Sequence, residues 1–362
     1  MSTDTDPTDS DPTDSTASGP LGRLRTRQTT RETVELAALG SVGLLALVMV
    51  GFILLYWLRE LPYIATAYEQ FRIAGRLMDL YLGTNVFKHP FIWQSLSTGV
   101  LIGIVAPLVG SFLVHREMAL IGETLAHAAF AGVAISLLFN SVTGWDGSIL
   151  FGALVVGVLG ALLVQWLADR TNTYGDVPIA IMLSGSFALG TLIISYGSGQ
   201  TSFSIESLLY GSIAVVTPDG TRLMGLLTVL VVAGVIFNYK QLLFITFDEQ
   251  AARVAQLPVD RYNTLLVVMT AVVVVGAMQV LGVILVAAML VVPVAAASQV
   301  ALSFRETVYL SIIFGQAAVL AGFVFSISMS LPAGGSIVMA AIVIYLVTIT
   351  LSENGITAIS TH

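Results

Sequence analysis

Two ionisable residues, Glu123 and His127, stand four positions apart inside an apolar run of the chain. In an α-helix this spacing places both side chains on one face, one turn apart. An ionisable side chain inside a membrane span is costly unless it is paired or faces a cavity, so it suggests a function. A carboxylate and an imidazole can together bind a divalent transition-metal ion. The spacing also fits a proton relay or a buried Glu–His hydrogen bond, and it leaves all three open.

Other candidate ligands are weaker. The chain has no cysteine, which excludes thiolate metal sites and disulfides. His89 and His115 flank apolar runs and His362 is the last residue, positions typical of solvent-facing histidines. The sequence has neither a G-x-x-x-x-G-K-[ST] phosphate loop nor an H-E-x-x-H zinc motif. We therefore predict neither ATP hydrolysis through a P-loop nor a zinc protease, and no permanently bound cofactor.

The composition of the chain indicates which kind of structure positions Glu123 and His127. Hydrophobic residues make up 56% of the 362 residues and charged residues only 10%, with a mean hydropathy of +0.90. A soluble chain carries about a quarter charged residues, so lipid must solvate much of this one. Apolar runs recur along nearly the whole chain after Val34. The sequence therefore predicts an all-α, polytopic transmembrane helical bundle.

The runs long enough to cross about 30 Å of hydrocarbon number nine or ten. Tyr262–Ser303 is too long for one crossing. It is expected to form two helices, or one helix and a re-entrant half, joined near Met278–Gly282. The runs are Val34–Leu58, Phe91–Val114, Ala119–Phe139, Ser148–Ala168, Val177–Gly197, Arg222–Phe244, Tyr262–Ser303, Thr307–Ser328 and Gly335–Leu351.

The Lys and Arg residues indicate the orientation. With a cytoplasmic amino terminus, and Tyr262–Ser303 counted as two crossings, ten of them are inner and five outer. Such an excess on the inner side is typical of proteins of the cytoplasmic membrane. The inner residues are Arg23, Arg25, Arg27, Arg31, Arg116, Arg170, Lys240, Arg253, Arg261 and Arg305, and the outer ones Arg59, Arg72, Arg76, Lys88 and Arg222.

Four parts follow from this pattern. Residues 1–33 begin with Asp among Ser, Thr and Pro, which is typical of a disordered acidic tail. Residues 34–90 hold a first span and a long outer loop, Arg59–Pro90, and residues 353–362 form a second tail. Residues 91–352 form the main transmembrane domain.

A charged inner loop, Phe247–Asn263, is the second informative segment. Its middle, Glu249–Leu257, has helical propensity, and Pro258 is expected to end the helix. A short amphipathic helix on the inner face suits contact with a cytoplasmic partner. A solvated connecting helix fits the pattern equally well.

Taken together, these stretches resemble the zinc, manganese and iron permeases of ABC importers, in order from Phe91 to Leu351. The matching segments are GSFLVHREMALIGETLAHAAFAGVAISLL, LLYGSIAVVTPDG, FDEQAARVAQLPVDRYN, GAMQVLGVILVAAMLVVPVAAA and LPAGGSIV. The resemblance implies the fold of a type II ABC importer permease and a transport subunit, not an enzyme. Residues 34–90 have no counterpart in shorter relatives; a membrane anchor and a docking surface for a binding protein both fit them.

By this resemblance, Glu123 and His127 fall on the Asp and His that line the metal path. Glu123 stands where Asp is usual and Ala126 where Ser is common, so the ion (Zn, Mn or Fe) stays open. The resemblance also implies a loop that receives the ATPase. Its residues here are Asp248, Glu249, Arg253, Leu257 and Pro258.

The partners implied are a second copy of the permease, cytoplasmic ABC ATPase subunits, an extracytoplasmic metal-binding protein and the lipid bilayer, with no nucleic acid. The metal ion would be bound transiently as cargo. Two rivals remain: a proton-coupled transporter that uses Glu123 and His127 as a relay, and a scaffold subunit that tolerates Ala at both positions.

Overall fold

The computed structural model describes residues 20–59, 61–83, 86–144, 148–170, 177–197, 209–211 and 216–360. Long helices dominate these ranges, which confirms the predicted all-α polytopic bundle. The helices are α1 Pro20–Trp57, α2 Pro62–Leu82, α3 Pro90–His115, α4 Leu120–Thr143, α5 Ile149–Arg170, α6 Val177–Gly197, α7 Pro218–Phe247, α8 Glu249–Val254, α9 Val259–Leu281, α10 Val286–Ser298, α11 Phe304–Met329 and α12 Ala333–Ser360.

Nine helices in the described ranges are long and apolar enough to cross a membrane: all except α2, α8 and α10. The predicted long run Tyr262–Ser303 is two helices, with a break at Gly282. The short α10 still joins the two ends of the bundle. Ile284, just before it, donates its N–H to Leu209, and Gln299, just after it, accepts from Ser352 near the end of α12. Its 13 residues extend over about 20 Å, less than the roughly 30 Å of hydrocarbon that a span must cross.

The first and last helices are longer than the predicted spans. α1 begins at Pro20, so the predicted tail 1–33 is helical from residue 20, and α12 continues to Ser360 through the predicted tail 353–362. Neither extension has a proline after Pro20 that would break the helix. Residues 1–19, and most of the connection between α6 and α7, lie outside the described residues.

The predicted outer loop Arg59–Pro90 contains a 21-residue helix, α2, which the sequence analysis did not anticipate. α2 contains four charged residues, so it does not stand out as an apolar run in the sequence. Pro62 is in its first turn and Gly83 ends it with φ +63°. These are ordinary start and stop signals for a helix.

α3 is the centre of the bundle. It packs against α1, α7, α9, α10 and α11, and most of its residues are buried. Close approach depends on glycine: a Cβ on Gly110 would overlap the backbone of Leu290 in α10. Gly103 and Gly315 face each other where α3 meets α11. Small residues allow such contacts between helices in lipid.

Three glycines from distant segments meet at one point. A Cβ on Gly211 would overlap Val280, one on Gly282 would overlap Leu209, and one on Gly334 would overlap Leu281. Gly211 and Gly282 also have positive φ values of +72° and +79°, a region that favours glycine. Gly211 of the segment LLYGSIAVVTPDG and Gly334 of the segment LPAGGSIV therefore pack against the same break between α9 and α10.

Candidate metal site and coupling segment

The turn between α3 and α4 sets where Glu123 and His127 lie. α3 ends at His115, and Glu117 adopts φ +59° while Met118 donates its N–H to Leu113 at 2.9 Å. α4 then starts at Leu120, which places Glu123 in its first turn. The partial positive charge of a helix amino terminus stabilises a carboxylate there.

Both predicted metal ligands lie on the face of α4 that points away from the rest of the chain. Glu123 is exposed and His127 half-buried, whereas Thr124, Leu125 and Ala126 between them are buried. The inward face packs against α5, α6 and α9. The structure therefore places the pair on one helical stripe, as predicted, but outside the core of the single chain.

The imidazole of His127 has an aromatic neighbour and a free nitrogen. Its ring centroid lies 5.0 Å from that of Phe187 in α6, edge to face, and Phe187 also stacks on Phe130 at 6.0 Å. Nδ1 of His127 is buried and has no hydrogen-bond partner among the described residues. Packing thus fixes the ring and leaves Nδ1 buried without a partner among the described residues.

Among the described residues, one chain offers this site two side-chain ligands. No group of three or more His, Asp or Glu side chains that could hold a metal occurs in the described residues. A divalent ion needs four or more donors, so Glu123 and His127 would be half of a complete set.

The charged loop after α7 folds into the short helix α8. Asp248 is its N-cap and accepts the N–H of Ala251 at 2.8 Å. Arg253 donates to Glu249 at 2.9 Å and to Asp260 at 3.0 Å, and its pKa is raised by these hydrogen bonds. The side chain of Val254 is 85% exposed, which leaves an apolar position open on α8.

The end of α8 differs from the prediction. The helix stops at Val254, and Gln256 adopts φ +60° before Leu257 packs with Ala252 and Val259. Pro258 therefore does not end α8. It is the N-cap of α9, where a missing N–H costs no helical hydrogen bond.

Arg116, one of the predicted inner charges, links the turn before α4 to α8 and α9. Its Nη2 donates to Asn263 Oδ1 in α9 at 2.8 Å and to Glu249 Oε2 in α8 at 3.4 Å. Its side chain is 8% exposed. Burial lowers the pKa of Arg116, and the Glu249 carboxylate opposes that shift. Sequence separations of 133 and 147 residues hide these contacts from any local pattern.

Comparison with known proteins matches the ABC 3 transport family over residues 88–352. The chain belongs to that family. The resemblance to metal ABC importer permeases is thereby confirmed, and the chain is a multi-pass membrane protein of the permease type. The match begins after α2, so α1 and α2 are additions to the family's domain.

Several relatives are described as metal permeases. A probable metal transport system membrane protein of Treponema pallidum is 30% identical over 270 residues, covering 75% of this chain and 98% of that protein. The manganese import system permease ScaB of Streptococcus gordonii is 32% identical, covering 71% and 90%. The solved structure of PsaBC from Streptococcus pneumoniae in complex with Fab matches with a TM-score of 0.65 and 32% identity, covering 76% and 95%.

Proposed function

We propose that this chain is the permease subunit of an ATP-driven importer for a divalent transition-metal ion, with Mn²⁺ as the first candidate. The observation that carries the proposal is the Glu123–His127 pair on the outward face of α4, in a chain of the ABC 3 transport family. The descriptions of several relatives support manganese in particular. Zn²⁺ and Fe²⁺ suit the same donors and are the competing cargoes.

The position of the pair favours a path between two copies of the chain. An ionised Glu123 facing lipid would cost several kcal/mol, so another surface must cover it. Exposed apolar side chains on neighbouring α6, Ile181, Phe187 and Leu192, offer a surface that a second copy can cover. Two donors from each copy would then make four around one ion, held loosely enough to be released.

We assign α8 as the contact for a separate ATPase subunit on the cytoplasmic side. The helix projects Val254, and Asp248 and Arg253 hold its short backbone through a cap and two ion pairs. To reverse the populations of two bundle arrangements from 1:99 to 99:1, ATP binding must favour one by about 5.5 kcal/mol. Contacts from α8 to α7, α9 and Arg116 would carry that preference into the bundle and so produce alternating access.

The test is uptake of radioactive Mn²⁺ by proteoliposomes that hold the whole complex: permease, ATPase and metal-binding protein. Glu123→Gln and His127→Gln should each abolish ATP-dependent uptake, because each removes a charge or donor from the shared site. Glu69→Gln and His89→Gln are matched controls, since both side chains are exposed and far along the chain from α4. They should transport like the wild type.

Competition between metal ions identifies the cargo, and the energy source of uptake distinguishes the importer from its rivals. Unlabelled Mn²⁺ should compete for uptake better than Zn²⁺ or Fe²⁺; a stronger effect of Zn²⁺ would reassign the cargo. Undiminished uptake in both variants would remove the pair from the path and favour the scaffold role. Uptake driven by a pH gradient without ATP would support the proton-coupled rival and refute the importer.

A further inference from the structure

Helix α2 lies outside the family's domain and presents three different faces. Successive residues of a helix are about 100° apart around its axis. The position of each side chain on α2 can therefore be given as an angle from Tyr68, which is buried. Gly75 and Asp79, at about 340° and 20°, are buried as well. These residues define the face of α2 that packs on the rest of the protein.

An aromatic cluster and one carboxylate fix this inner face. Phe71 lies 5.0 Å from Phe52 of α1 and 4.7 Å from Trp93 of α3, measured between ring centroids. The carboxylate of Asp79 accepts the backbone N–H groups of three successive residues at 2.7 to 2.9 Å. Those residues are Val86, Phe87 and Lys88. α2 is therefore held firmly against the segment that leads into α3.

The opposite face of α2 is apolar and exposed. Ile73, Leu77 and Ala74 fall at about 140°, 180° and 240° from Tyr68. All three are exposed, as is Met78 at the edge of the same face. Two polar residues, Thr66 and Gln70, lie among them, but no charged residue does.

The charges of α2 lie on the third face, between the other two. Arg72, Arg76 and Glu69 fall at about 40°, 80° and 100°. Glu69 pairs with Arg72 at 2.8 Å. This leaves one excess positive charge, that of Arg76. Separate apolar and basic faces are typical of helices that lie in the headgroup region of a membrane.

The packing of α2 sets its height relative to the bilayer. α1 and α3 are both membrane spans, and α2 contacts the last turns of one and the first turn of the other. Phe52 is five residues from the end of α1, about 8 Å along the helix axis. Interfacial helices are buried to a similar depth, about 5–10 Å. Tyr63 and Tyr81, 91% and 88% exposed, stand near the two ends of α2 on its apolar side. Tyrosine favours this level of the membrane.

We propose that α2 is an interfacial helix whose exposed apolar face, Ile73, Ala74, Leu77 and Met78, is inserted among the lipids of the bilayer, with Arg76 at the phosphate headgroups. The occupant of this face is phospholipid, because the spans on either side of α2 already place the bilayer at its level. The three hydrogen bonds accepted by Asp79 and the aromatic cluster fix the rotation of α2 about its axis. The apolar face therefore contacts lipid and the charged face contacts water. The inference rests on α1 to α3 alone and is independent of the cargo.

The absence of cysteine makes a direct test possible. Ile73→Cys, Leu77→Cys and Arg76→Cys would each carry one nitroxide spin label on the full chain, in proteoliposomes of phosphatidylethanolamine and phosphatidylglycerol. Collisions with oxygen, which dissolves in lipid, and with a water-soluble nickel chelate are then measured by electron paramagnetic resonance. The ratio of oxygen to nickel collisions should be several-fold higher at positions 73 and 77 than at position 76.

Two other outcomes would overturn the proposal. Nickel access at positions 73 and 77 equal to that at position 76 would place the whole helix in water. Protection of positions 73 and 77 from both oxygen and nickel would mean that protein covers this face, either a second copy or the metal-binding protein. Ala74→Cys, a smaller change on the same face, gives an additional reading in case one of the larger substitutions disturbs folding.

Discussion

Loss of the Arg116 side chain should uncouple the ATPase contact from the metal path. Arg116→Gln removes a charge-assisted hydrogen bond of 2.8 Å to Asn263 and a longer contact of 3.4 Å to Glu249. Glu249 is 42% exposed and keeps its partner Arg253, so no buried charge is left alone. The hydrogen bond contributes about 1.5–3 kcal/mol, and the long, half-exposed ion pair adds at most about 1 kcal/mol.

The Asn263 hydrogen bond joins the turn between α3 and α4 to α9, and the Glu249 ion pair joins it to α8. A total near 2–3 kcal/mol shifts the equilibrium between the docked and undocked arrangements of this turn by about 30- to 150-fold. The assay is Mn²⁺ taken up per ATP hydrolysed in proteoliposomes of the whole complex. We expect this ratio to fall at least severalfold while ATP hydrolysis itself continues. Arg305→Gln is the matched control, because Arg305 is exposed and donates a hydrogen bond to Tyr309 in its own helix.

A double-mutant cycle makes the test specific. The effects of Arg116→Gln and Asn263→Ala on the free energy of unfolding should not add, since both remove the same hydrogen bond. Additive effects would show that the two side chains act separately. An unchanged ratio of Mn²⁺ to ATP in Arg116→Gln would refute the idea that this residue carries the coupling.

Three further predictions concern single contacts and are measured by ATPase binding, proteolysis and melting temperature. Asp248→Ala should lower ATPase binding to the permease, because loss of the N-cap that accepts from Ala251 costs α8 about 1 kcal/mol. Asp79→Ala should increase proteolysis between α2 and α3, since three backbone N–H groups lose an acceptor. Gly110→Ala should lower the melting temperature, because the new methyl group overlaps the backbone of Leu290 and overpacking costs about 1–3 kcal/mol.

Matched variants isolate these effects. Gly185→Ala adds the same methyl group where nothing lies within 4 Å, so its melting temperature should stay that of the wild type. Asp219→Ala removes an exposed acidic residue whose ion pair is with Arg222, one turn away, and it should leave both ATPase binding and proteolysis unchanged. Equal losses in a variant and its control would contradict the stated causes.

The sequence by itself determined the fold class and the spans. In lipid every backbone group must be paired within its own helix, so each crossing requires a long apolar run that can be read locally. The spacing of Glu123 and His127 likewise fixed their common face, because helical period depends only on sequence distance. Where composition was mixed this reasoning failed: the charges of α2 made a helix resemble a loop.

Only the tertiary structure decided what these elements do to one another. It placed the Glu123–His127 face on the surface of the single chain. It also brought Arg116 to Asn263 and packed Gly334 against the break at Gly282. It also showed that the short α10 joins both ends of the bundle. Each of these facts depends on which helix lies beside which. That choice is made by packing between residues far apart in the chain, and no local period of the sequence records it.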